Sequence, residues 1–150
     1  MNQITISLPV YYTIEYKKPK TTKVKQKDGR YKIKTIDSRT FLVALNWYRN
    51  ENPFTLDDVK QHYHKLVLEA LQSKNFVIPD KYSTSYKYCY KSSVSDAGNV
   101  ISIIEKYVLD GLKECGVITD DSVKYHIRSD GWTIEEDKTN PRLEITIKAI

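Results

Sequence analysis

The sequence predicts an α+β fold, in which a mixed β-sheet packs against two main helices and a basic β-hairpin protrudes near the N-terminus. Apolar and polar residues alternate near both ends of the chain, which is typical of strands with one buried face. Two internal segments instead carry apolar residues at helical spacing. Because a chain of 150 residues buries one core but not two, we expect a single domain over residues 1–150.

The first 36 residues are predicted to form a strand followed by the hairpin. Apolar residues alternate with polar ones from Ile4 to Val10, which indicates the strand. Two further alternating stretches, 22–26 and 30–36, flank Asp28-Gly29. This dipeptide supplies the positive φ of a tight turn, so the two stretches are expected to pair.

The same N-terminal segment holds the positive charge of the chain. Residues 1–34 contain nine basic and two acidic residues, a net charge of +7, so the other residues carry −2 of the total of +5. This distribution is typical of polyanion binders, because lysines set against phosphates release condensed counterions. The alternative is a solvated hairpin whose lysines discourage aggregation. By alternation we expect one face to present six DNA-binding residues, namely Lys23, Lys25, Lys27, Arg30, Lys32 and Lys34.

The remaining elements are predicted to form an α/β core over residues 55–147. Before it, the apolar segment 41–48 is either a strand or the last turn before a loop. We expect the first helix to begin at Thr55, whose hydroxyl caps it, with Asp58 completing an approximate capping box. His62 and His64 lie about 200° apart around this helix, so we expect surface histidines rather than metal ligands.

A tyrosine-rich strand and a second helix follow. Alternate residues of the strand share one face, where sheet packing is the expected role and base stacking the alternative; they are Tyr82, Thr84, Tyr86, Tyr88 and Tyr90. The second helix is predicted from Val100 to Glu114, stopped by Gly116. The chain then continues with a strand that carries Val123, Tyr125 and Ile127, a turn at Asp130-Gly131, and a final strand that carries Leu143, Ile145 and Ile147.

Several function classes are excluded by what the sequence lacks. No apolar run approaches the roughly 20 residues of a membrane span. The N-terminus lacks the features of a secretory signal, so we expect a cytoplasmic protein without membrane contact. Cys89 and Cys115 form no Cys-x-x-Cys pair and are expected to be buried thiols. Phosphate-binding loops, dinucleotide-binding glycine motifs and serine-esterase elbows are missing, which leaves carboxylate chemistry.

Acidic residues at the ends of adjacent elements are the candidates for that chemistry. Asp96 lies between the tyrosine-rich strand and the second helix, while Asp120 and Asp121 precede the next strand. Mg²⁺ favours one or two carboxylates together with water and substrate phosphate oxygens, so these three residues are candidate metal ligands. The structural alternatives are a helix N-cap for Asp96 and a strand-opening turn for the aspartate pair.

Three segments resemble the RusA family of Holliday junction resolvases, many of which are prophage-borne. They are Ser95-Asp96-Ala97-Gly98-Asn99, Lys106-Tyr107-Val108-Leu109-Asp110-Gly111-Leu112, and Gly116-Val117-Ile118-Thr119-Asp120-Asp121-Ser122-Val123. The tail over 142–147 is similar to the closing strand of the family. The likeness is specific over 86–147 and thinner upstream, where it is limited to Leu8-Pro9 and Asn46-Trp47-Tyr48-Arg49.

The resemblance implies a homodimeric endonuclease that uses Mg²⁺, or Mn²⁺, to nick four-way DNA junctions during recombination and repair. The implied setting is the cytoplasm of a bacterium or a phage-infected host. Matched position by position, the implied catalytic residues are Asp96, Lys106 and Asp121. Asp96 and Asp121 are the metal ligands that the resemblance implies, Asp120 is a further candidate ligand beside them, and the resemblance gives Asn99 and Asp110 structural roles.

Two departures from the family pattern stand out, and the first of them, together with the basic hairpin, favours an alternative. Gly98 stands where the family has a second aspartate, so a metal ligand is missing unless Asp120 or Glu105 replaces it. The segment before Lys106 is longer by about one helical turn, which slides this lysine along the axis by roughly 5.4 Å and leaves Ser102 in its place. The alternative is a RusA-like protein with weakened catalysis that binds branched DNA or a nucleoprotein partner, for instance as a phage-encoded inhibitor or regulator.

Overall fold

The computed structural model describes residues 2–150, which form an α+β fold as predicted. Strands β1, β6, β4 and β5 form a mixed sheet in that order, and β2 pairs with β3 in a separate two-stranded sheet. The elements in chain order are β1 (Gln3–Pro9), β2 (Tyr11–Lys25), β3 (Tyr31–Leu42), α1 (Leu45–Asn50), α2 (Pro53–Leu71), β4 (Tyr82–Tyr90), α3 (Ala97–Glu114), β5 (His126–Glu136) and β6 (Arg142–Ala149).

One face of the four-stranded sheet forms the floor of the core. β1 pairs antiparallel with β6, so that Ile4 lies opposite Ile147 and Ile6 opposite Ile145, and all four are buried. β4 runs antiparallel to β6 and parallel to β5. The tyrosines of β4 are buried except for half-buried Tyr90, so this row packs in the core, as predicted.

Helices α2 and α3 pack against each other over this face. Tyr63 of α2 stacks on Tyr107 of α3, with ring centroids 5.5 Å apart and planes inclined by 12°. The Tyr63 hydroxyl donates a hydrogen bond of 2.6 Å to the carbonyl oxygen of Pro9. Because Pro9 ends β1, this bond fixes the point at which the chain leaves the core sheet for β2.

The start of α2 differs from the prediction. The helix begins at Pro53, and its N-cap is Asn52, whose side-chain oxygen accepts a hydrogen bond of 2.9 Å from the Thr55 amide. Asparagine is a strong N-cap residue, and proline is favoured at the first helical position because its missing N–H has no partner there. The Asn52-Pro53 pair therefore outweighs the weaker signal of Thr55 and Asp58.

The burial of two side chains, His64 and Cys115, differs from the prediction. His64 is buried rather than on the surface, because it lies against Gly111 of α3, where a methyl group would meet its ring at 3.4 Å. His62 is half-buried. Cys89 is buried as predicted, but Cys115 is exposed just after the end of α3.

Strand β5 begins later and runs further than predicted. Val123 lies in the preceding loop and is 89% exposed, and Tyr125 precedes the strand as well. Asp130-Gly131 is not a turn but a bulge inside β5, where the register with β4 shifts and Gly131 has a φ of +87°. The chain turns instead after β5, where the Asp137 carboxylate accepts hydrogen bonds from two following amides.

Candidate nucleic-acid interface

Strands β2 and β3 form a hairpin that projects from the core, and we call its residues 17–36 the basic arm. Every side chain from 17 to 35 is exposed. At the root of the hairpin, Val10 and Val43 are fully buried, and the Val43 amide donates a hydrogen bond of 2.8 Å to the Val10 carbonyl. The segment 41–48 contains both the end of β3 and the start of α1.

The turn at the tip forms at Asp28-Gly29, as predicted. The Gln26 amide donates a hydrogen bond of 2.7 Å to the Arg30 carbonyl, and the Gly29 amide donates one of 3.0 Å to the Gln26 carbonyl. Gly29 has a φ of +85°, a left-handed conformation that glycine adopts without strain. Three residues therefore separate the paired Gln26 and Arg30, and this loop length sets the register of the arm.

The basic arm carries nine basic residues and one acid. The acid, Asp28, accepts a hydrogen bond of 3.0 Å from the Arg30 amide at the tip. Within residues 2–150, the lysines of the arm take part in no ion pair. The ammonium of Lys20 lies over the Tyr16 ring, 4.3 Å from its centroid. The other lysines are free to contact an external anion.

The register places the basic rows on opposite faces of the arm, which corrects the predicted single basic face. Lys23 is paired with Ile33 and Lys25 with Tyr31, and residues directly opposite each other in an antiparallel pair share a face. The other face carries Arg30, Lys32 and Lys34, with Val24 opposite Lys32. Residues of equal parity share a face because the three-residue loop pairs odd numbers with odd numbers.

A groove of about 400 Å³ lies at the root of the hairpin. It is lined by the hairpin root, α1 and the start of α3, and Tyr11, Trp47, Asp96 and Asn99 are among its residues. The Asp96 carboxylate accepts a hydrogen bond of 3.3 Å from the Asn99 amide, so Asp96 has the structural role of N-cap of α3. Two RusA-like motif residues therefore lie beside the root of the hairpin.

The other motif aspartates lie at the far end of α3. The Lys113 ammonium is 2.5 Å from Asp120 Oδ1 and 3.9 Å from Asp121 Oδ1. It holds the pKa of Asp120 well below its usual range. Between Asp96 and Lys113 the helix rises about 1.5 Å per residue, roughly 25 Å in total.

This separation bears directly on the predicted metal ligands. Carboxylate oxygens that share one Mg²⁺ ion each lie about 2.1 Å from it, and therefore within about 4 Å of each other. Asp96 and Asp121 of one chain do not fit a shared ion, because most of the length of α3 lies between them. Among residues 2–150 there is also no group of three histidine, cysteine or acidic residues that would hold a metal.

Lys106 lies apart from both Asp96 and the Asp120-Asp121 pair. It lines a cavity between α3 and the first two helices, together with Asp57, Lys60 and Asp110. Ten residues separate it from Asp96, a rise of roughly 15 Å. Ser102, which holds the position of the family lysine, donates a hydrogen bond of 3.3 Å to the Asn99 carbonyl. The predicted catalytic residues are thus distributed along α3 rather than brought together.

Gly98 lies beside the side chains of Trp132 and Asp96. A Cβ built on Gly98 would lie 3.4 Å from the ring of Trp132 and 3.4 Å from the Asp96 carboxylate. The Trp132 side chain projects from β5 towards the start of α3 and is 52% exposed. These distances are van der Waals contacts that a Cβ tolerates, so the packing does not explain the glycine at this position.

A series of hydrogen-bonded polar side chains, which the sequence pattern does not predict, connects β5 with α3. The Tyr86 hydroxyl donates to the Glu105 carboxylate. Thr84 Oγ1 lies 2.6 Å from the Tyr86 hydroxyl oxygen and 2.8 Å from His126 Nε2. Because the Tyr86 proton is directed at Glu105, Thr84 donates to Tyr86 and His126 donates to Thr84. Burial raises the pKa of Glu105 to about 7 and lowers the pKa of His126.

The raised pKa of Glu105 predicts a pH-dependent contribution to stability. The folded protein keeps the carboxyl proton up to about pH 7, whereas an unperturbed glutamic acid releases it near 4.5. The unfolded chain then binds fewer protons in this window, so the stabilising contribution of Glu105 falls as pH rises. Solvent screening of the partly exposed carboxyl limits the expected loss to about 1–2 kcal/mol.

The measurement is urea unfolding of the wild type and Glu105→Gln at pH 5 and pH 7.5. The glutamine side chain of the variant cannot ionise, so the difference between the two proteins isolates the carboxyl from His62 and His126, whose pKa values burial lowers. We expect the stability of the wild type relative to the variant to be lower at the higher pH. A difference that is the same at both pH values would contradict a Glu105 carboxyl that stays protonated in the folded protein up to about pH 7.

Among residues 2–150, no helix has the length and apolar character needed to cross a membrane. No family model matches the chain, and no curated protein matches it. The likeness to the RusA family therefore rests on the motif residues of the sequence.

Proposed function

We propose that this protein binds branched duplex DNA through its basic arm, without a metal held between Asp96 and Asp121. The observation that carries the proposal is the exposure of nine basic side chains on a hairpin arm that projects from the core. The RusA-like motifs favour branched DNA as the partner, and two of their residues line the groove at the root of the hairpin.

The energetics of the arm favour a partner. An isolated two-stranded hairpin is marginally stable in water, and like charges along this one add repulsion. Phosphates would remove the repulsion and release their condensed counterions. An anti-aggregation role explains scattered lysines at a sheet edge, but it gives no reason to extend a hairpin with nine basic residues into solvent.

Mg²⁺-dependent cleavage and a homodimer are implied by the resemblance alone and stay predictions. The residues present do not fit a metal shared by Asp96 and Asp121, so no catalytic step is assigned to them. The proposal therefore corresponds to the binding protein with weakened catalysis.

The test is the salt dependence of binding. We expect the wild type to bind a fluorescent four-way junction in EDTA, with a slope of log K against log[NaCl] of about −5 or steeper, since six or more lysines each neutralise a phosphate at roughly −0.9 per contact. A linear duplex of equal length is the control, and the junction should bind more tightly.

Two results would count against the proposal. A slope shallower than about −2 would mean that too few phosphates are contacted for the basic arm to be the binding surface. Binding that disappears in EDTA would mean that a metal site, rather than the arm, holds the DNA.

A further inference from the structure

We infer that the basic arm enters the major groove of duplex DNA and contacts the phosphates of both strands that border the groove. This inference rests on the proposed function, because it assumes that the partner is DNA. It goes further in assigning the groove, the orientation and the roles of the two faces of the arm.

The distribution of basic residues over both faces of the arm favours insertion into a groove. Lys23 and Lys25 project from one face, and Lys32 and Lys34 project from the other. A hairpin that lies flat on a duplex needs basic residues on one face only, and charges on its outer face would stay in solvent. A hairpin inside a groove has phosphates on both sides, so each face needs its own row.

The dimensions of the arm favour the major groove over the minor groove. Paired strands lie about 4.8 Å apart, and their side chains widen the ribbon on both faces. The major groove of B-form DNA is about 12 Å wide and admits a two-stranded β-ribbon, whereas the minor groove is about 6 Å wide. The arm from Lys20 to Lys25 pairs continuously with Ile36 to Tyr31, so a regular ribbon of roughly 17 Å is available for insertion.

The exposed apolar side chains of the arm also favour contact with the bases in the groove. Tyr31 and Ile33 are 66% and 68% exposed on the face of Lys23 and Lys25, and Val24 is 44% exposed on the opposite face. Water-exposed apolar groups on a charged arm have no role in phosphate binding. Inside the major groove each face also borders the base edges and the methyl groups of thymine, which are apolar partners for these side chains, while the long lysine side chains of the same face extend to the phosphates.

The test compares two double variants with the same change of charge. Lys23→Ser/Lys25→Ser removes one basic row, and Lys32→Ser/Lys34→Ser removes the other. All four lysines are exposed and take part in no ion pair within residues 2–150, so both variants are expected to fold. We expect each to weaken duplex binding by about 30- to 100-fold at 0.1 M salt and to flatten the salt slope by about 1.8.

The outcomes separate the inference from the proposed function. If only one double variant weakens binding, the arm lies flat on the DNA, so groove insertion is wrong and DNA binding by the arm stands. If neither variant weakens binding, the arm does not hold the DNA and the proposed function fails as well.

A competition experiment identifies the groove. Methyl green, which occupies the major groove, should displace the wild type, and netropsin, which occupies the minor groove, should not. Double-stranded RNA of equal length should bind more weakly, since its major groove is too narrow and deep for side chains to read. Displacement by netropsin but not by methyl green would overturn the inference.

Discussion

Replacing four lysines of the basic arm by serine is expected to abolish tight DNA binding, while the same change in the body of the protein has little effect. The arm variant changes Lys23, Lys25, Lys32 and Lys34, which are all exposed. Four lost phosphate contacts should lower the affinity for the junction by about 10³- to 10⁴-fold at 0.1 M salt and flatten the salt slope by about 3.6.

The control variant has an identical net charge. It replaces four exposed lysines outside the arm by serine: Lys65, Lys74, Lys81 and Lys148. Both variants lower the formal charge from +5 to +1, so general electrostatic attraction is reduced equally. Equal loss of affinity in the two variants would mean that total charge, rather than the arm, determines binding.

The second large effect concerns stability, at the junction between the core and the hairpin. Tyr63 is fully buried, stacks on Tyr107 and donates a hydrogen bond to the Pro9 carbonyl. Tyr63→Ala removes the ring and leaves a cavity, and we expect it to lower the free energy of unfolding by about 3–5 kcal/mol. Tyr63→Phe keeps the ring and removes only the hydrogen bond, with an expected cost of about 1 kcal/mol.

Urea unfolding at 25 °C measures both variants. The phenylalanine variant should retain the fold because it keeps the buried ring. It loses only the hydrogen bond to the end of β1, so it separates the effect of this bond from that of the ring. A Tyr63→Ala variant within about 1 kcal/mol of the wild type would show that the α2–α3 contact is not central to the core.

The sequence predicts those parts of the fold in which local pattern and burial agree. The alternation in β1 and β6 corresponds to their buried faces, and Gly116, just after α3, has a φ of +74°. Asp28-Gly29 gives the hairpin turn for the same reason, since the required backbone conformation is local.

The faces of the basic arm depend on a non-local quantity. Alternation within each strand shows that Lys23 and Lys25 share a face, and that Lys32 and Lys34 share a face, but not whether the two faces coincide. That depends on the number of residues in the turn, which is three in the structure because Gln26 pairs with Arg30. A change of one residue in the loop would move one row to the other face.

The scattering of the motif residues follows from helix geometry. The predicted helix from Val100 to Glu114 already implies a rise of more than about 20 Å, and the order of motifs along the chain does not report distance. The Trp132–Gly98 contact and the Thr84–Tyr86–Glu105 chain are different, because they join elements whose relative placement is set by the sheet. In the sequence, only Thr84 within the row of tyrosines and Glu105 within an apolar helix indicate these hydrogen bonds.

Hydrogen exchange of the backbone amides, with and without the four-way junction, tests DNA binding by the arm most directly. The arm has solvent on both faces, so its amides from 20 to 36 should exchange rapidly in the free protein and become protected in the complex. Amides of β4 and β6 in the core should exchange slowly in both states. Protection that appears around Asp96 and Asp121 while the arm stays unprotected would contradict DNA binding by the arm.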